Sequence, residues 1–269
     1  MIGIAQTLLP PAIQTELDTL QANINNLPNF SDRVTAASRQ FASQNRIDNR
    51  TFDEIKVVLT TMCAGARRCM YCEDSVADEV EHIKPKALYP EAVFVWLNYL
   101  YACGPCNGPK NANFKVFSAA SGRMTNVTRR RKAAVVPPTS GNPVLIDPRI
   151  EDPLDFMILD LSGTFFFVEM GSKRSLQYKR AKYTIELLKL NQRDYLVTAR
   201  KRAAHSYSVH LRDYLHRRDA GATQAELDQL IKALQDESHP TVWKEIQRQR
   251  KTVLSSGNLF ALAPEALNW

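Results

Sequence analysis

The sequence predicts an α+β protein in which a small, cysteine-rich core lies between two helical regions. Three observations support this prediction. Apolar residues recur at helical spacing in the regions 1–62 and 171–269. Residues 69–114 instead crowd cysteines, asparagines and aromatic residues into a segment too short to build a large apolar core. Apolar runs at 144–148 and 156–170 are typical of strands, and Ser162-Gly163 is typical of a hairpin turn.

These patterns divide the chain into four regions. Residues 1–62 should form helices over about 11–27, from a cap at Ser31 to about Gln44, and from near Thr51 to about Met62. Residues 63–118 form the cysteine-rich core, and residues 119–170 form a basic loop followed by the β-hairpin. Residues 171–269 should be helical again, with amphipathic stretches over 180–190, 194–218 and 224–236.

Composition limits the classes of protein to consider. The chain is 44% hydrophobic and 23% charged, which is typical of a folded protein and not of a disordered tail. We see no apolar run long enough for a membrane span, and the first residues lack the basic segment of a signal peptide. The formal net charge of +7 favours an acidic partner, most commonly nucleic acid. A basic protein with no nucleic-acid partner is the alternative that charge alone leaves open.

Four of the five cysteines form two C-x-x-C pairs, Cys69 with Cys72 and Cys103 with Cys106. An odd count without an export signal argues against a disulfide framework and indicates the cytoplasm. Each turn presents two thiolates to one ion, so two turns complete the tetrahedral shell of a structural zinc. A redox dithiol is the alternative, which two pairs around a histidine segment disfavour. The remaining cysteine, Cys63, is interpreted as a small buried apolar residue.

Polar residues with catalytic chemistry lie between and just after the two cysteine pairs. Glu81 and His82 occur in V-E-H-I-K-P, Asn98 in W-L-N-Y-L, and Asn107 and Lys110 in C-N-G-P-K. Hydrolysis of a phosphodiester needs a base that works near neutral pH, for which histidine is suited. It also needs a hard divalent ion, which prefers oxygen ligands such as carboxylate and amide. Singly, each residue has an ordinary structural explanation; their order makes the functional interpretation stronger.

That order resembles the HNH endonucleases of the His-Me finger (ββα-metal) superfamily over residues 69–114. The resemblance implies a zinc-stapled ββα-metal nuclease core with His82 as the general base. It implies that Glu81 and Asn107 bind a catalytic metal and that Asn98 fixes the loop that carries the base. Many members have histidine where this chain has Asn107. The amide oxygen is a harder ligand, which shifts the expected ion to magnesium or manganese.

Basic residues around the core are the predicted contacts for DNA. Lys110 falls where the family often has a basic residue close to the substrate phosphate, and Lys84 lies in the histidine motif. Arg129, Arg130 and Arg131 occupy a proline-flanked loop soon after the core. Such side chains give affinity that depends on salt and not on base sequence. A solvated surface is the ordinary explanation of any one basic run.

A looser resemblance extends beyond the core. F-x-x-I-K-x-x-L before Cys69, N-P-x-L-I-D-P at 142–148 and A-K-Y-T-I-E-L-L-K-L-N at 181–191 are similar to HNH proteins of bacterial antiphage systems, including the nuclease subunits of Septu systems and some retrons. This implies an effector nuclease that works with an ATPase subunit. A non-catalytic zinc module that binds nucleic acid or a protein partner remains the alternative.

Overall fold

The computed structural model describes residues 1–252 and 259–269. Within these ranges the chain combines helices with three small antiparallel sheets, so the predicted α+β class is confirmed. The helices are α1 (Pro11–Asn25), α2 (Phe30–Gln44), α3 (Arg50–Thr61), α4 (Gly104–Lys110), α5 (Leu176–Leu187), α6 (Asp194–Asp219), α7 (Gln224–Gln235) and α8 (Pro240–Arg248). The strands are β1 (Glu79–His82), β2 (Tyr99–Ala102), β3 (Lys115–Ser118), β4 (Met124–Asn126), β5 (Gly141–Pro143), β6 (Met157–Leu159) and β7 (Phe167–Glu169).

Local sequence explains where the N-terminal helices begin. Pro11 opens α1, where the missing N–H of proline costs nothing. Asn49 caps α3 by accepting a hydrogen bond from the backbone N–H of Phe52 at 3.0 Å. The cap predicted at Ser31 is wrong, because the extended residue before α2 is Asn29 and Ser31 already lies inside the helix.

β1 and β2 form an antiparallel pair that leads directly into the short helix α4. In the register, Glu81 lies opposite Leu100, and His82 lies opposite Tyr99. The connection from 83 to 98 contains two 3-10 turns, Pro90–Ala92 and Trp96–Asn98. The order strand, long loop, strand, helix places the two cysteine turns at the outer ends of this unit.

The second sheet has the order β4-β3-β5. The strand predicted at 144–148 is displaced, because β5 covers 141–143 and the apolar run that follows it is buried outside any strand. Gly141 is required in β5, since a Cβ there would lie 2.1 Å from the carbonyl oxygen of Phe117. The predicted hairpin is present as β6-β7, and Ser162 lies in the loop that joins them, where it donates to Asp160.

Among the described residues of the C-terminal region, helices α5 to α8 contribute side chains to a shared apolar core. Thr223 and Glu226 form a reciprocal capping box that starts α7. α8 was not predicted; it is a short helix whose first residue, Pro240, follows a left-handed His239. One continuous apolar cluster draws residues from all four predicted regions. In the described residues, no helix has the length and apolar character that crossing a membrane requires.

Candidate active site and cysteine cluster

The four cysteines of the two C-x-x-C pairs converge at one buried point. Their Sγ atoms all lie within 4.8 Å of one another. Cys69 and Cys72 precede β1, whereas Cys103 is the residue before α4 and Cys106 lies within that helix. The cluster therefore joins the segment before β1 to the start of α4.

This arrangement fits a zinc ion. Tetrahedral coordination with a Zn–S bond of ~2.3 Å places neighbouring sulfur atoms about 3.8 Å apart, and the Cys72 and Cys103 Sγ atoms are 3.8 Å apart. All four side chains are buried, and the donor set is uniformly soft. The cluster could hold zinc in a closed shell, which suits a structural role.

Arg193 contacts the cysteine cluster from the C-terminal region. Its Nη2 donates to Cys106 Sγ at 3.3 Å and to the carbonyl oxygen of Leu188 at 2.8 Å. A zinc ion with four thiolates carries two surplus negative charges, and a guanidinium at this distance offsets part of them. Sequence reasoning missed Arg193, since 87 residues separate it from Cys106.

A pocket of about 390 Å³ lies between β1 and α4. Three of the predicted site residues line it: Glu81, His82 and Asn107. Ser38 of α2 closes one side, so the N-terminal helices form part of the wall. The structure thus brings together residues from both ends of the motif around one concave space.

His82 is buried and its imidazole has a fixed orientation. The Nε2 atom lies 2.9 Å from the carbonyl oxygen of Val93. Because a carbonyl only accepts, Nε2 carries the proton and Nδ1 is the unprotonated nitrogen of the neutral ring. Burial, and to a smaller extent the charge of Lys86, lower the pKa of His82 to about 3 even though the bond to Val93 opposes both effects. The ring is therefore neutral at physiological pH.

Glu81 and Lys110 form a buried ion pair. The ammonium of Lys110 contacts Glu81 Oε1 and donates to the backbone carbonyl of His82. Burial raises the pKa of the Glu81 carboxyl, and the charge of Lys110 opposes that rise. Lys110 is fully buried and does not line the pocket. It was predicted to contact a substrate phosphate, but in this structure its partners belong to the protein.

Asn107 is held by a carboxylate that the sequence did not single out. Its Nδ2 donates to Glu79 Oε2, which leaves the amide oxygen as the free end of the side chain. Glu79 precedes Glu81 by two positions on β1, so both project from the same face of the strand. The alternation E-V-E-H is the signal that identifies Glu79 from the sequence.

Asn98 lies behind the pocket and fastens the loop between β1 and β2. Its Oδ1 accepts from the backbone N–H of Lys84 at 2.7 Å. Its Nδ2 donates to the carbonyl oxygens of Lys84 and Ala92 at 3.1 and 2.8 Å. Since Val93 follows Ala92, these bonds hold the residue that orients His82.

The other basic residues lie at different places. Lys84 is exposed and lines a separate cavity of about 610 Å³ on the other side of the loop, which it shares with Asn98. Arg129 is half-buried, and its Nη2 donates at 2.7 Å to the carbonyl oxygen of Ala87, a residue at the edge of the pocket. Arg130 and Arg131 are exposed. Of the predicted basic contacts, Arg129 therefore lies next to the pocket, while the structure places Lys84 at the other cavity.

Comparison with known proteins gives one partial relationship. The chain is similar to Septu protein PtuB of Bacillus thuringiensis. The two are 41% identical over 64 residues, which is 22% of this chain and 24% of that protein. The chain thus matches about a quarter of the length of this relative. No family model and no solved structure matches it.

Proposed function

We propose that this protein is a metal-dependent endonuclease of the HNH type that hydrolyses phosphodiester bonds in DNA. One observation carries the proposal: a neutral histidine oriented by a backbone carbonyl shares a pocket with a carboxylate and an amide oxygen. A base and two hard oxygen donors in one concave space are what such hydrolysis requires.

His82 acts as the general base. With the Nε2 proton held by Val93, Nδ1 takes a proton from a water molecule in the pocket. The water oxygen forms a bond to phosphorus as one ester P–O bond breaks, and the leaving oxygen is protonated from solvent. Val93 and Asn98 are positioning residues, since they hold the ring and its loop without contacting substrate.

Glu81 and Asn107 would hold the catalytic ion. The amide oxygen of Asn107 and the second carboxylate oxygen of Glu81, Oε2, are hard ligands that suit magnesium or manganese. The contact of Lys110 with the other oxygen, Oε1, fixes the carboxylate. A bound divalent ion would neutralise charge on the leaving oxygen.

We further propose that the nuclease acts as the effector of an antiphage defence system together with an ATPase subunit. The similarity to a Septu protein supports the defence role. Extensive helical regions on both sides of the pocket offer more surface than nuclease chemistry needs, which supports a partner. According to this proposal, the purified protein alone does not cleave DNA. Addition of the co-purifying ATPase activates cleavage.

A plasmid-nicking assay tests the chemistry. The parent should nick plasmid in Mg²⁺ or Mn²⁺, and a chelator should stop the nicking. If the parent alone is inactive, the assay includes its ATPase partner. Asn107→Ala should lower the rate by on the order of 100-fold through loss of a metal ligand. The matched control is Asn113→Ala, whose exposed side chain donates to Pro109 outside the pocket. Equal rates for both variants would exclude the proposed ligand set.

The non-catalytic zinc module is the second candidate, and the cysteine cluster and the positive charge are compatible with it. Zinc-replete protein that binds plasmid but never nicks it, alone or with the ATPase, would select that function instead.

A further inference from the structure

Lys86 presents a cation to the pocket and was not among the predicted site residues. It lines the pocket with Glu81, His82 and Asn107. Its Nζ lies 5.0 Å from the ring centroid of Phe41, the α2 side chain that also packs against His82. An ammonium over an aromatic face is held by the ring quadrupole without a neutralising charge.

The charge of Lys86 is less compensated than that of Lys110. Lys110 forms a close ion pair with Glu81, so the two charges cancel at short range. In the ranges 1–252 and 259–269, no carboxylate lies within 4.0 Å of the Lys86 ammonium. Burial lowers the pKa of Lys86, and the more distant charge of Glu81 opposes this effect. Lys86 is therefore a positioned cation that retains capacity for an anionic ligand.

The backbone on both sides of Lys86 is restrained. Pro85 precedes it, and Ala87 follows it, with the carbonyl oxygen of Ala87 accepting the bond from Arg129. Proline restricts the backbone on one side, and the guanidinium restrains it on the other. The backbone that carries Lys86 is thus restrained, and the contact with Phe41 positions the ammonium of this pocket-lining residue before any substrate binds.

We propose that the Lys86 ammonium binds a non-bridging oxygen of the scissile phosphate and stabilises the charge that develops there during hydrolysis. This inference rests on the proposed nuclease function and adds a catalytic residue to it. The proton of water passes to His82, the new O–P bond forms and the ester P–O bond breaks. Lys86 neither gains nor loses a proton; it acts electrostatically from a fixed position.

The test compares three variants of the full-length protein with the parent under the conditions in which the parent cuts plasmid. Lys86→Met removes the charge and keeps much of the apolar stem, and Lys86→Arg restores a cation. The matched control is Lys115→Met, because the Lys115 ammonium also lies 5.0 Å from an aromatic centroid, that of Tyr183, and does not line the pocket.

Loss of one preorganised charge contact should lower kcat of Lys86→Met by about 100-fold, with little change in KM. The kcat of Lys86→Arg should be at least about tenfold higher than that of Lys86→Met. Lys115→Met should cut at the parent rate. Zinc content and melting temperature should match in all four proteins.

Each other outcome has a distinct meaning. If Lys86→Met cuts as fast as Lys115→Met while the parent is active, the role of Lys86 is overturned and the nuclease function stands. A rise in KM at constant kcat would also overturn the proposed role of Lys86. That pattern marks a contact that binds the substrate and the transition state equally. If kcat falls only together with the melting temperature and arginine does not rescue it, Lys86 is structural. A parent that cuts no DNA even with its ATPase partner overturns the nuclease function itself, and the role of Lys86 with it.

Discussion

The ring of Phe41 meets the imidazole of His82 edge-on, with the centroids 4.4 Å apart and an interplanar angle of 70°. Tyr99 contacts the same imidazole with its centroid at 5.2 Å. His82 is therefore enclosed by one aromatic ring from α2 and another from β2. The N-terminal helices contribute directly to the pocket and do not merely flank it.

This enclosure predicts that Phe41 affects activity more than stability. Phe41→Leu keeps most of the buried volume, so the free energy of unfolding should fall by less than ~1.5 kcal/mol. The loss of the edge contact frees the imidazole, and kcat should fall by about tenfold or more. Phe114→Leu is the matched control, since Phe114 is also buried but packs on Tyr89 outside the pocket. Denaturant unfolding and plasmid-cutting rates measure both effects, and equal kcat losses in the two variants would refute the positioning role.

The cysteine cluster predicts one zinc ion per chain. Cys106→Ser removes one ligand of four, and structural zinc contributes folding free energy on the order of 10 kcal/mol. The variant should therefore lose bound zinc and cooperative thermal unfolding. Cys63→Ser is the control, because the Cys63 thiol lies outside the cluster and donates to Leu59. Elemental analysis and calorimetry test this, and a Cys106→Ser protein that retains a full equivalent of zinc would contradict it.

Arg193 should slow zinc release. Arg193→Met removes the donor to Cys106 and the compensating charge, and outer-shell changes of this kind weaken metal binding by about 10–100-fold. Arg193→Lys keeps the charge, so its rate of zinc release should lie between the rates of Arg193→Met and the parent. The rate of zinc transfer to a coloured chelator measures the effect. Identical rates for the parent and Arg193→Met would show that the contact adds nothing to zinc retention.

Burial of His82 predicts a dependence of stability on pH. The pKa of the buried ring is lowered from 6.5 to about 3, so between these values the unfolded chain binds a proton that the folded chain does not. Stability must therefore rise with pH across this window and fall as the solution is acidified. The His82 contribution between pH 7 and pH 5 is about 2 kcal/mol.

His82→Gln removes the titrating group and is the comparison for that prediction. Between pH 7 and pH 5, the free energy of unfolding should fall by about 2 kcal/mol more in the parent than in the variant. Denaturant midpoints at several pH values, with zinc content checked at each, provide the measurement. Parallel pH profiles would mean that the folded and unfolded chains bind the His82 proton equally, which would contradict the lowered pKa.

The sequence predicted those parts of the site that lie close together along the chain. The two C-x-x-C pairs and the residues between them fall within a few tens of positions, and spacing alone indicated that they converge. Phe41 and Arg193 reach the same region only through packing of distant helices. No local pattern marks either residue, because an aromatic in an amphipathic helix and an arginine before a helix are ordinary features.

Burial was the second property that the sequence did not reveal. Lys110 and Lys86 are both lysines near the motif, and the resemblance to the HNH endonucleases favoured Lys110 as the phosphate contact. The fold pairs Lys110 with Glu81 in the interior and leaves Lys86 at the pocket. The displaced strand at 144–148 has the same origin, since an apolar run is equally compatible with a strand and with a buried irregular segment.

The most direct test of the central claim is plasmid cleavage by the parent, His82→Ala and His205→Ala in Mg²⁺, in Mn²⁺ and with a chelator, each with and without the ATPase partner. His205 is exposed on α6, so its replacement controls for loss of a histidine. We expect the parent and His205→Ala to cut equally and only with divalent metal, and His82→Ala to retain zinc and its fold but not cut. Cutting by His82→Ala at the parent rate would contradict the assignment of this imidazole as the base.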